Sequence, residues 1–195
     1  MTSARTDHLV AAAWGAAEAT FFVVVPDVWI SRVVLRSPRR GAATTVSALA
    51  GALAGGVVTH RWGARIPADS SARALAALPA ISPTMVRKVE ADLARDGHRT
   101  LMEGPTRGVP YKIYARSSGL HGMPLGGFLA WSVPARMARF LLVTAGTAGS
   151  MAVGRRLVPR SIDRLAPAAH ALAWTGFYLW FFRTVGREES PSQTG

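Results

Sequence analysis

Apolar residues cluster along this chain rather than spreading through it. Residues 41–59 form a run of 19 without a charge, 117–135 a second of 19, and 165–182 a third of 18. A bilayer core about 30 Å thick is crossed by about 20 helical residues, each rising about 1.5 Å. One such run fits inside a large soluble domain. Three within 195 residues would leave too little polar surface to cover them. The pattern predicts an all-α integral membrane protein.

The remaining segments refine that picture. Residues 9–30 are apolar except for Glu18 and Asp27, and they contain Pro26. A straight spanning helix would bury Glu18 deep in the bilayer, which is unfavourable unless the carboxylate faces a cavity or a partner. Two half-helices that meet near Pro26, dip in and return would relieve this, since broken backbone is tolerated at that depth when buried in protein or lining water. A peripheral amphipathic helix is the alternative. Residues 41–59 read as a spanning helix in which Gly51 and Gly55 permit close approach of a neighbour. Ser82 and Pro83 look like a helix start and Gly97 a stop, with Val86, Val89 and Leu93 on one face. This helix, about 83–97, would lie on the membrane surface or stand as an ordinary solvated helix between spans.

Residues 101–127 carry prolines at 105, 110 and 124 and six glycines, yet only Glu103, Arg107, Lys112 and Arg116 are charged. A second broken, re-entrant segment fits that composition. A long helix over 128–154 follows, with Arg136 and Arg139 on one face and small residues at 146, 150 and 154 as a packing face. The last run ends in Trp174, Phe177, Tyr178, Trp180, Phe181 and Phe182, which suit an interfacial belt. The resulting organisation is a tail over 1–8, a membrane domain over 9–154, a connector and C-terminal transmembrane helix over 155–185, and a disordered tail over 186–195. Two re-entrant broken-helix hairpins plus spanning helices would form an inverted repeat, an arrangement that places a site near the midplane of many transporters.

Composition sharpens the function classes. Charged residues make up 17% of the chain, against about 25% for soluble domains. The mean hydropathy of +0.19 is held down by arginine-rich connectors. The net charge of +12 is nearly all arginine, Lys88 and Lys112 being the only lysines. Arg32, Arg36, Arg39 and Arg40, then Arg155, Arg156, Arg160 and Arg164, flank apolar runs as anchors to anionic lipid do. That placement argues against nucleic acid as a partner. No cysteine is present, the five histidines form no close pair, and no phosphate- or dinucleotide-binding fingerprint occurs. No metal, cofactor or enzymatic activity is expected, and no cleaved signal peptide.

Candidate chemistry rests on Glu18 and Asp27 in the first broken segment and on Arg107, Lys112, Arg136 and Arg139 in the second half. Ionisable groups at membrane depth pair with one another or line a pathway. Four bases against two acids would leave positive charge for an anionic or zwitterionic lipid phosphate, which arginine binds through its planar fork. Glu18 makes coupling to protons a further candidate. Pro26, Pro110 and Gly119 are the expected hinges. Alternatively, Arg136 and Arg139 snorkel to the headgroups and only anchor their helix.

The phrases EATFFVVVPD over 18–27, GPTRGVPYK over 104–112 and RMARF over 136–140, with Gly119, Gly127 and Phe128 between them, resemble the DedA family, also called the SNARE-associated Golgi or VTT-domain family, and especially its YqaA-like branch. The resemblance covers most of residues 9–154. Similar proteins have more prolines in the first hairpin, where this chain has Val23 and Val25. The resemblance implies two re-entrant hairpins facing each other in the plasma membrane, with acid and arginines where they meet. It implies a lipid transporter that scrambles or flips phospholipid or polyprenyl-phosphate headgroups, and it marks Glu18, Asp27, Lys112 and Arg136 as matching positions. Two other classes stay open: a structural or regulatory protein that binds lipid or a partner without transport, and a membrane-embedded enzyme acting on phospholipid. Self-association is also open.

Overall fold

The structure, a computed structural model, describes residues 3–185. The expected disordered tail over 186–195 lies outside the described residues. Within them every regular element is helical.

Helix α1 (Ala4–Thr20) starts inside the expected N-terminal tail. Ser3 caps it by accepting a hydrogen bond from the Thr6 N–H, and Asp7, almost fully buried, pairs with Arg40 at 3.4 Å. The chain then breaks over 21–26 and returns as α2 (Asp27–Arg36), which Pro26 opens. Trp14 Nε1 donates to Val24 O across this turn and Trp29 Nε1 to Asp7 O, so the two helices form a hairpin. Helix α3 (Pro38–Arg65) runs alongside α1. The two glycines singled out in the sequence allow that contact: a Cβ on Gly51 would stand 1.9 Å from Ala12 O, and one on Gly55 2.5 Å from Ala16 O. His8 meets Ser47 at one end, and Thr59 donates to Ala19 O at the other.

Helices α4 (Ala68–Ala76) and α5 (Pro83–Asp96) form the polar middle. Ser82 caps α5 and Gly97 ends it, as expected. Its apolar face does not lie on a membrane surface, however. Val86, Val89 and Leu93 are buried in a cluster with Ile113, Tyr114 and Phe128, so protein has taken the stripe that lipid was expected to cover.

A 3₁₀ turn (Gly97–Met102) and the single helical turn α6 (Gly104–Arg107) lead to a break over 108–110, and α7 (Tyr111–Leu120) follows. Gly119 sits within α7 and is no hinge. A Cβ there would stand 1.9 Å from His60 O, so its work is to bring α7 against α3. Pro110 does sit at the break, as the residue capping α7.

Helix α8 (Leu125–Leu157) crosses α3 in the opposite direction, with Phe128 near His60 and Phe140 packed on Ala48 and Leu49. The small residues expected to form a packing face are largely bare: Gly146 has open space beside it and Ser150 is exposed, while Gly154 alone meets Ile162. Helix α9 (Ile162–Val185) returns along α2. Two helices, α3 and α8, are long and apolar enough to cross a membrane by length and composition. The third expected span, α9, has 24 residues and is not one of these two.

Candidate functional site

The turn of the α1–α2 hairpin and the break before α7 approach α3 from opposite ends and meet over residues 56–59. Tyr111, at the start of α7, packs on Gly56, and α1 ends where Thr59 reaches Ala19. Lys112 completes the junction by donating from Nζ to Phe22 O at 3.0 Å. Two apolar clusters flank this point, one built on α5, α7 and the start of α8, the other on α1, α2, α3 and Phe140. The charges lie between them.

Helix α8 supplies two of the bases, Arg136 and Arg139. Arg136 Nη2 donates to Glu18 Oε2 at 2.5 Å, with both side chains buried. Arg139, three residues on and so on the same face, pairs with Asp27 Oδ2 at the start of α2. The Arg136 guanidinium also lies 4.4 Å from the Tyr111 ring centre and 5.3 Å from that of Phe140, a cation–π sandwich that holds it away from solvent. Tyr111 is fixed in turn by donating to Ser132 at 2.9 Å. Removing one member of a buried ion pair strands the other and destabilises by about 3–5 kcal/mol. Neither arginine behaves as a headgroup anchor, since both reach inward to a carboxylate.

Of the six charged residues expected here, the fold gathers five. Arg107 is the exception. It is half-exposed and turns to Glu103 at 2.8 Å and to Asp92 of α5 at 3.5 Å, away from Glu18. It belongs to the short helix before the break, whereas Lys112 lies after it. The cluster therefore holds three bases against two acids, not four against two.

A cavity of about 440 Å³ opens over the cluster. Glu18, Asp27, Lys112 and Arg139 supply its polar groups, and Val23, Val25, Val109 and Pro110 from the two turns line it beside them. One wall was not expected. Trp174, Phe177, Tyr178 and Phe181 of α9 face this cavity, and Tyr178 accepts a hydrogen bond from the Val25 N–H at 2.8 Å. The spacing of these four puts them on one helical face, and that was the available signal, whereas the neighbouring Trp180 and Phe182 are exposed.

No family model, curated protein or solved structure matches the chain.

Two polar atoms in the cluster keep unused capacity: Asp27 Oδ1 and Arg136 Nε are buried without a hydrogen-bond partner in the protein. Buried polar groups are otherwise nearly always satisfied. The site thus offers charge and hydrogen-bonding capacity beneath an apolar wall, which suits the polar end of an amphiphile.

Proposed function

We propose that this chain is a multi-pass protein of the cell membrane, of DedA-like architecture, that moves lipid headgroups across the bilayer through the cavity between its two hairpins. The observation that carries the reading is that cavity: four charged side chains from three separate parts of the chain converge under an apolar wall where the hairpin turns meet. In a membrane, the turns would be the re-entrant tips, and α3, α8 and α9 would span.

Helix α8 supports the membrane setting. Only 17% of its most apolar window is buried inside the protein, and Leu141, Leu142, Val153 and Leu157 are exposed. A core helix of a soluble protein would be covered, whereas lipid would cover this one. Phospholipid or polyprenyl phosphate is the proposed cargo class, and Glu18 the residue through which protons would couple.

The closed pairing of Glu18 with Arg136 favours a second reading, in which the cluster only braces the hairpins. One experiment separates the two. Purified protein in liposomes is given headgroup-labelled lipid and a membrane-impermeant quencher, for wild type and Glu18→Gln. Translocation predicts movement by wild type and its loss in an inserted, folded Glu18→Gln protein. Equal movement by both would remove Glu18 from the pathway, and none by either would favour the bracing role.

A further inference from the structure

We infer that the cavity selects a phosphodiester lipid with one negative charge and a hydroxyl in its headgroup, a phosphatidylglycerol-type lipid, with Lys112 reading the charge and Asp27 the hydroxyl. This rests on the translocation reading and narrows it.

The argument is a balance of charge and hydrogen bonds. Arg136 and Arg139 are each matched by a carboxylate, Glu18 and Asp27. Lys112 is 1% exposed and donates to a neutral carbonyl, Phe22 O. An ammonium has three donors, so this bond leaves two to offer the cavity, and the cluster keeps one formal positive charge over. Desolvated charge of that kind favours an occupant carrying the opposite charge, one unit of it. A phosphate monoester over-matches it, with about −1.5 to −2 near neutrality. A zwitterionic headgroup leaves it unmatched. A phosphodiester whose headgroup bears no other charge neutralises it.

Asp27 adds the second criterion. It is 1% exposed, it lines the cavity, and its Oδ2 is taken by Arg139 while Oδ1 has no partner in the protein. A buried carboxylate oxygen left unsatisfied is costly, and an occupant that donates to it is correspondingly preferred. A headgroup hydroxyl donates; a trimethylammonium does not. At about 440 Å³ the cavity falls within the range of small-molecule sites and is sized for a headgroup rather than a whole diacyl lipid. The apolar wall, Phe177 and Phe181 of α9 with Val143 of α8, would receive the first carbons of the chains.

The test compares three acyl-labelled lipids with identical chains in the same liposomes: phosphatidylglycerol, phosphatidylmethanol (same charge, no hydroxyl) and phosphatidylcholine. Wild type is expected to move phosphatidylglycerol about tenfold faster than phosphatidylcholine, as one charged hydrogen bond implies, with phosphatidylmethanol between them. Lys112→Met should bring the first and last rates together, while Lys112→Arg keeps them apart. Equal rates for all three lipids with wild type would overturn the inference and leave translocation standing. Equal rates for phosphatidylglycerol and phosphatidylmethanol would overturn the role of Asp27. Movement of none would overturn translocation itself; retention of the three lipids by detergent-solubilised wild type, read by native mass spectrometry, would then decide selectivity, and equal retention would overturn it.

Discussion

Two arginines are buried among the described residues, and their sites are built on opposite principles. Arg116 of α7 is fully buried, and each of its three nitrogens is used: Nε donates to Ser71 Oγ at 2.9 Å, Nη2 to Ala68 O at 2.6 Å, and Nη1 pairs with Glu90. It ties α4 and α5 to α7. Arg136 of α8 is buried almost as deeply but leaves Nε unpartnered, and beside its pair Asp27 keeps a bare oxygen. The cavity of about 440 Å³ is lined by Glu18, Asp27, Arg139 and the surplus Lys112 of that second group, and one of about 340 Å³ by Arg116 and Glu90 of the first. Burial of charge is common to both sites and so identifies neither as functional. What separates them is a buried carboxylate oxygen, Asp27 Oδ1, that has no partner in the protein and belongs to a residue lining the cavity.

The largest expected effect breaks the Arg116 site. Arg116→Ala leaves Glu90 without its partner and unties α4 from α7, and should destabilise by about 3–5 kcal/mol, read as a drop in the thermal unfolding midpoint in detergent. Limited proteolysis should cut between α3 and α5, where the polar middle has lost its tether. Lipid movement per folded molecule should stay at the wild-type level. If Arg116→Ala left stability unchanged, a bond from every guanidinium nitrogen would be no guide to a structural role.

The helical class, the start and stop of α5, the close contact of α3 and the meeting of the two acids with bases of the second half were legible in the sequence; which bases they would pair with was not. Each depended on local signals or on the rule that buried charges find each other. Arg107 escaped because which side of a break a residue occupies cannot be read from spacing: five positions separate it from Lys112, and the turn sends them to different partners. The fate of the α5 stripe was hidden for a similar reason, since an amphipathic face fits protein or lipid equally and only the tertiary fold chooses. The wall supplied by α9 was the largest omission. It depends on a contact between residues 25 and 178, which no local pattern encodes.

That contact gives the next prediction. Tyr178→Phe removes the acceptor for the Val25 N–H and leaves the aromatic stacking with Trp174 in place. The expected loss is about 1 kcal/mol, with α9 more readily cut or exchanged than α3. Hydrogen exchange across the two helices would show it. A uniform change over the whole chain, with no excess in α9, would mean that the cavity wall is as firmly built as the Arg116 clamp and that the contrast between the sites is weaker than drawn.

The smallest effect is a dependence on pH near the clamp. His98, in the 3₁₀ turn, is buried against Phe128 and meets Ser118 Oγ at 2.8 Å. Burial, with His60 nearby, pushes its ring below the ordinary histidine value of 6.5. The fold therefore favours neutral His98. Its contribution to stability is complete above 6.5 and is lost as the pH falls through the lowered folded value. The unfolding midpoint should drop on acidification in that window, and His98→Gln should flatten the slope. Arginine stays charged throughout, so Arg116→Ala should lower the midpoint without changing the slope. An unchanged slope in His98→Gln would show that the acid response arises elsewhere and that this half of the molecule is held by groups indifferent to pH.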